Sequence, residues 1–126
     1  VNDAVTFSAP TLSQVGALYG LQHHDELVAP IVQAFQERLD YLQKELPKID
    51  WLAVSPVQGS IYVFADIRKT GLGSVEFADQ LLKKAGILVV PGLAFGKCGE
   101  GFVRIAATQP LAALKEAVAK MKQLAW

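Results

Sequence analysis

Apolar residues recur at helical spacing through the first third of the chain. Pro10 suits a first helical turn, and the apolar face of the helix after it consists of Leu12, Val15, Leu18 and Tyr19. The stretch 20–24 indicates a break, and residues 1–9, which show no period, are predicted to be a loose tail. The pattern therefore predicts a long or broken helical segment over 10–47.

A second helix is predicted to begin at Asp25, which can cap it, and to end at Pro47. Pro30 is compatible with this helix only near its first turn, because proline removes a backbone hydrogen bond. The apolar stripe of the helix consists of Leu27, Ile31, Phe35, Leu39, Leu42 and Leu46.

The remaining chain alternates between strand and helix signals. Residues 61–65 are continuously apolar and predict a buried strand. Ser74 can cap a helix that Gly86 ends. Short strands are predicted over 87–90 and 102–107, and Thr108 and Pro110 open a last helix.

The order of these elements predicts an α/β (α+β) fold with a split βαβ sheet. The helix over 74–85 has the length of a crossover between parallel strands, and a right-handed crossover leaves room for a strand between them. We expect three strands, with 101–107 central and antiparallel to both 60–66 and 87–90. Helices are expected on one face only.

Composition indicates one domain with no preference for polyanions. The chain has 126 residues with twelve basic and twelve acidic side chains, so no charge excess points to nucleic acid or to a membrane surface. Hydrophobic residues make up 52% and the mean hydropathy is +0.29. This predicts either a well-filled core or an apolar surface that faces another domain or subunit.

Cysteine content and hydropathy set two further expectations. The single Cys98 leaves no internal disulfide and suits a reducing compartment. No apolar run approaches the roughly 20 residues of a membrane span, and the first residues lack the layout of a signal peptide. A cytoplasmic location without membrane contact is the default expectation.

Arg104 stands out because it interrupts an apolar strand. A guanidinium in such a place is costly to bury unless an anion meets it. Strand alternation puts Phe102, Arg104 and Ala106 on one face, away from the face expected to be covered. The planar fork of arginine matches both oxygens of a carboxylate. A structural ion pair with Glu100 or Asp66 is the alternative.

Other candidate sites carry weaker signals. The glycine loop 92–99 fails the P-loop pattern because Pro91 and Cys98 stand where glycine and Ser/Thr belong, and a flexible connection between strands is expected instead. The adjacent His23 and His24 lack further ligands and indicate a surface turn, with no metal site expected. Cys98 has no identifiable general base. Tyr62 and Phe64 are predicted to be core residues.

Several segments together resemble a known family. The run from Pro56 to Asp66 looks like a Pro-x-x-Gly-x-x-Tyr-x-Phe-x-Asp strand, and 91–96 with 103–105 match a Pro-Gly…Phe-Gly loop followed by an arginine strand. Segments 9–14 and 74–85 resemble two further segments of the same family, and all the matched segments follow one another in the family's order. The ordered set resembles the C-terminal small domain of the fold-type-I (class I/II) aminotransferases that use pyridoxal phosphate (PLP), of the aspartate/aromatic type.

The resemblance implies roles for two residues and for the missing parts. Arg104 would hold the substrate α-carboxylate, and Gly59 would lie near the substrate side. The PLP lysine, the phosphate-binding residues and the pyridine-nitrogen aspartate belong to a large domain upstream. Residues 1–126 would therefore form one domain, with an α/β core over 54–126, that is inactive alone and binds no cofactor.

The full-length enzyme implied by the resemblance would transfer an amino group from an amino acid to a 2-oxo acid as a homodimer. A PLP-dependent carbon–sulfur lyase of the same fold would share every matched residue. A free-standing regulatory domain that binds an acidic small molecule through Arg104 is a third interpretation, because such sheets also serve binding domains.

Overall fold

The computed structural model describes residues 8–126, which form four α-helices and four strands. The helices are α1 (Thr11–Gln22), α2 (His24–Glu45), α3 (Ser74–Ala85) and α4 (Leu111–Lys122). The strands are β1 (Ala53–Val54), β2 (Tyr62–Asp66), β3 (Val90–Pro91) and β4 (Phe102–Ala106). Short 3-10 turns lie at Leu46–Lys48, Arg68–Thr70, Gly92–Phe95 and Lys97–Gly99.

The chain divides into two compact units after Ala34. The first unit contains α1 and the beginning of α2, and the loose tail expected over 1–9 lies, apart from Ser8 and Ala9, outside the described residues. The apolar residues predicted for one face of α1 are present on a helix, but none of them is buried. Within residues 8–126, no helix is both long and apolar enough to span a bilayer.

Helix α2 differs from the prediction at two points. Pro30 lies inside the helix, in its second turn, so the expectation that it sits near the first turn is wrong. The apolar stripe is buried only in its second half, where Leu39 and Leu42 enter the core, while Leu27 and Ile31 are exposed. The change occurs at the boundary between the two units.

The second unit contains an antiparallel sheet with strand order β1-β2-β4-β3. Strand β4 lies between β2 and β3 and is antiparallel to both, which confirms the predicted central strand. The prediction of three strands is wrong by one, because β1 adds a two-residue edge strand through the pair Ala53↔Asp66. The third strand in sequence is Val90–Pro91 rather than 87–90.

The buried core of this unit lies against one face of the sheet. Val63, Ala65 and Val103 point into it and are at most 1% exposed. The helical residues packed on this face, which come from α2, α3 and α4, are Leu42, Phe77, Leu81, Leu114, Val118 and Met121. The opposite face carries no core residue among these strands, so the helices cover one face as predicted.

The connection between β3 and β4 is closely packed at two glycines. A Cβ atom on Gly92 would lie 2.0 Å from the carbonyl oxygen of Gly99 and 2.6 Å from that of Phe102. A Cβ atom on Gly99 would lie 2.1 Å from the carbonyl oxygen of Gly92. The flexible connection expected from the sequence is thus wrong, because the two 3-10 turns pack backbone against backbone where only glycine fits.

We predict that Gly92→Ala lowers the free energy of unfolding by about 3 kcal/mol, at the upper end for overpacking, because the clashing atoms belong to the backbone and cannot rotate away. Urea unfolding of the chain measures this. Gly59→Ala is the matched control, since a Cβ there meets no atom within 4 Å. A loss below about 1 kcal/mol for Gly92→Ala would show that the loop can open at little cost.

Candidate functional site

Strand β4 places Arg104 on the sheet face that the helices leave uncovered. Its neighbour Val103 is buried in the core, whereas Arg104 is half-buried and pairs across the sheet with Phe64 and Val90. Side chains of successive strand residues point to opposite faces, so the burial of Val103 requires that Arg104 face the other way. The arginine is therefore held on a rigid central strand, at an open surface.

Two aromatic rings flank the guanidinium. Its central carbon lies 4.2 Å from the ring centroid of Tyr62 and 4.9 Å from that of Phe95. Phe64 stacks on Phe102 with centroids 5.3 Å apart and meets Phe95 edge to face at 6.2 Å. The uncovered face around Arg104 is thus aromatic.

The prediction that Tyr62 and Phe64 belong to the core is wrong. Phe64 is 41% exposed, and Tyr62 shares its face of β2. The continuous apolar run hid the alternation, because within 61–65 only Val63 and Ala65 are buried in the core. Phe95 was not predicted as a site residue, and its position in a loop gave no periodic signal.

No carboxylate pairs with Arg104 within residues 8–126. Asp66 is engaged by Arg68, whose Nε donates to both carboxylate oxygens at 3.0 Å, and this hydrogen bonding holds the pKa of Asp66 below its usual range. Glu100 is engaged by Ser74. The structural ion pair considered from the sequence is therefore not formed. The Arg104 Nε is instead buried without a hydrogen-bond partner in the described chain.

Glu100 binds the beginning of α3. Its carboxylate accepts a hydrogen bond from the backbone N–H of Ser74 at 2.6 Å and another from the Ser74 hydroxyl at 2.9 Å. Both bonds hold the pKa of Glu100 below its usual range, and the bond from the backbone N–H has the larger effect. Glu100 thus supplies the helix cap that was predicted for Ser74, which is itself the first helical residue and fully buried.

The other candidate residues from the sequence are Gly59, His23, His24 and Cys98, and none of them is among the residues that flank Arg104. Gly59 is exposed in the bend before β2, and nothing in the described chain approaches the position of its missing Cβ. His23 stacks on Tyr19 between α1 and α2, and His24 is exposed at the start of α2. Cys98 is exposed in the 3-10 turn Lys97–Gly99.

The chemistry available at this face is anion binding. A guanidinium presents planar N–H donors that match two carboxylate oxygens, and Arg104 has no such partner in the described chain. All nine lysines of the chain are exposed. The described residues therefore contain no buried lysine amine.

Comparison with known proteins identifies what this chain is similar to. The model of the family described as aminotransferase class I and II matches residues 1–121. An LL-diaminopimelate aminotransferase from Gloeobacter violaceus is 36% identical over 120 residues, which cover 95% of this chain and 30% of that protein. The chain thus spans about a third of the length of this relative.

Two solved structures share the fold. An aromatic aminotransferase from Pyrococcus horikoshii superimposes with a TM-score of 0.75 at 37% identity, covering 78% of this chain and 26% of that one. A candidate PLP-dependent β-cystathionase from Corynebacterium diphtheriae superimposes with a TM-score of 0.81 at 28% identity, covering 92% and 31%. The α/β fold expected from the sequence is confirmed by these likenesses.

We predict that the contribution of Glu100 to stability depends on pH. A carboxyl with a lowered folded pKa stabilises the folded state above its unfolded pKa of about 4.5, and this contribution is lost as the pH falls through the folded value. Urea unfolding at several pH values should give a constant difference between the wild type and Glu100→Gln above about pH 5.5, which shrinks below pH 4.5. A difference that does not vary with pH would contradict the assigned hydrogen bonds.

We predict that Arg104→Met leaves the free energy of unfolding within about 1 kcal/mol of the wild type or raises it. The substitution removes a buried unpartnered donor, whereas breaking a buried ion pair costs about 3–5 kcal/mol. Arg68→Met is the comparison and should lower stability only slightly, because Arg68 has its carboxylate partner in this chain but the pair is largely exposed. A large loss for Arg104→Met would return Arg104 to a structural role.

Proposed function

Because the chain belongs to the class I and II aminotransferases, we propose that it is the small domain of a PLP-dependent aminotransferase and that Arg104 binds the α-carboxylate of the substrate. The main support for this proposal is the environment of the Arg104 guanidinium. It is half-buried on an uncovered face, flanked by two rings and without a carboxylate partner in the described chain.

Arg104 orients the substrate in this proposal. Two parallel hydrogen bonds to one carboxylate fix both the position and the rotation of the amino acid. Such positioning lowers the barrier by removing rotational and translational freedom before the chemical step. Its placement on the central strand β4, hydrogen-bonded on both sides, keeps the arginine rigid relative to the domain.

We also propose that the described residues do not hold PLP by themselves. Every lysine is exposed, and six of them lie against acidic or aromatic side chains: Lys48 and Lys122 bind Glu45, Lys83 binds Asp79, Lys120 binds Glu116, Lys84 lies over Trp126, and Lys115 lies over Tyr41. We therefore propose that the rest of the protein holds the cofactor, and that the chain alone carries out no amino-group transfer.

The exposed apolar residues of α1 support a larger protein. Leu12, Val15 and Leu18 are between 56% and 85% exposed, which is unusual for three neighbouring apolar side chains of a helix. We propose that the large domain or a second subunit of a homodimer covers them. Substrates are taken to be an amino acid and a 2-oxo acid.

A carbon–sulfur lyase is the second candidate. The candidate β-cystathionase superimposes over 92% of this chain, so the fold accommodates either chemistry. In this proposal either enzyme would bind an amino acid by its carboxylate, and Arg104 would serve both. The free-standing regulatory domain would instead bind an acidic ligand without any further domain.

We predict that, in the full-length protein, Arg104→Lys lowers kcat/KM for the amino donor roughly tenfold to a hundredfold. An ammonium cannot reproduce two parallel hydrogen bonds, and losing one charge-assisted bond costs about 1.5–3 kcal/mol. The assay offers the twenty protein amino acids and LL-diaminopimelate with 2-oxoglutarate, and L-cystathionine tests the lyase reaction.

Arg68→Lys is the control, because that arginine is engaged by Asp66 and should change kcat/KM less than twofold. The isolated 126-residue chain, mixed with PLP, is expected to give no turnover. An Arg104→Lys variant with unchanged kcat/KM would overturn the proposed role, and stoichiometric turnover by the isolated chain would overturn the assignment as a fragment.

A further inference from the structure

Among residues 8–126, aromatic rings contact the Arg104 guanidinium and no side-chain or backbone group accepts a hydrogen bond from it. Tyr62 comes from β2 and Phe95 from the first 3-10 turn of the β3–β4 connection, and both rings lie within 5 Å of the guanidinium carbon. The Nε, which commonly receives a backbone or carboxylate acceptor, has none in the described chain. The conformation of this long, flexible side chain therefore depends on the two aromatic contacts.

We propose that Tyr62 and Phe95 are positioning residues that clamp the Arg104 guanidinium, so that its two terminal nitrogens form the edge that receives the substrate carboxylate. This inference rests on the proposed function. Because Nε is shielded, the edge that combines Nε with one terminal nitrogen is closed to a ligand. The edge formed by Nη1 and Nη2 remains for a two-bond contact.

The position of Phe95 is itself supported. Its ring meets Phe64 edge to face at 6.2 Å, and Phe64 stacks on Phe102 at 5.3 Å. Its backbone is fixed by the close contact between Gly92 and Gly99. The loop thus carries a ring to the arginine from outside the sheet, while Tyr62 reaches it from the neighbouring strand.

The rings could instead act only by packing, and the substitutions separate the two roles. Tyr62→Phe keeps the ring face and removes the hydroxyl, whereas Tyr62→Leu removes the ring and keeps an apolar side chain. Phe95→Leu tests the second contact independently. Tyr41→Leu is the control, because Tyr41 also lies under a cation, Lys115 at 5.8 Å, that has no proposed role.

The kinetic test uses the full-length holoenzyme and the amino donor identified by the panel of twenty amino acids, LL-diaminopimelate and L-cystathionine. Tyr62→Leu and Phe95→Leu should each lower kcat/KM about tenfold, mainly by raising KM, because the arginine becomes less well positioned. Tyr62→Phe and Tyr41→Leu should stay within twofold of the wild type. In the Arg104→Lys background, Tyr62→Leu should cause no comparable further loss, since it acts through the arginine.

A thermal test needs no substrate. The shifts in Tm caused by Tyr62→Leu and Arg104→Met should be non-additive, and those caused by Tyr41→Leu and Arg104→Met should add. Non-additive shifts for the first pair would support direct contact between ring and guanidinium, and additive shifts would contradict it.

The outcomes distinguish this inference from the proposed function. If Arg104→Lys lowers kcat/KM but Tyr62→Leu and Phe95→Leu do not, the clamp is wrong and the carboxylate role stands. Equal losses for Tyr62→Phe and Tyr62→Leu would assign the effect to the hydroxyl and also overturn the clamp. If Arg104→Lys has no effect, or no donor is turned over, both the function and the clamp fail.

Discussion

The pairing of β4 with a strand on each side is the constraint on which the rest of the structure depends. Because β4 is antiparallel to both β2 and β3, its residues cannot rotate, and alternate side chains are committed to opposite faces. Val103 must enter the core, so Arg104 must face outward. The direction of the Arg104 side chain thus follows from the strand pairing, and the aromatic residues of β2 lie beside the arginine because the register aligns Phe64 with it.

Holding Arg104 in this way is a cost to the fold. A buried donor without an acceptor is unfavourable by about 1–3 kcal/mol, and each contact with an aromatic ring offsets about 0.5–2 kcal/mol of this. The nearby acidic groups do not relieve it, since Asp66 is engaged by Arg68 and Glu100 caps α3. The lack of an acceptor for this guanidinium within residues 8–126 supports the proposal that Arg104 binds an external carboxylate.

The sequence predicted much of the fold because its signals are local. The helix over 74–85 lies where Ser74 and Gly86 indicated, and the central position of β4 followed from the crossover length. The errors arise where the deciding contact is distant in sequence. Glu100 caps a helix that begins 26 residues earlier, and the two-residue β1 has no pattern of its own. The aromatic surroundings of Arg104 escaped prediction because a continuous apolar run does not reveal which residues face the core.

The high hydropathy is accounted for by the core and by apolar surface together. Among residues 8–126, seventeen hydrophobic residues are buried, which is a well-filled core for one sheet face. At the same time, Leu12 and Leu88 are 85% and 78% exposed, and an apolar groove of about 490 Å³ lies beside β3 and α4. Exposed apolar area of this kind is unfavourable in water. The spacing of apolar residues alone could not separate buried from exposed positions, because an exposed apolar helix face has the same period as one that meets the core.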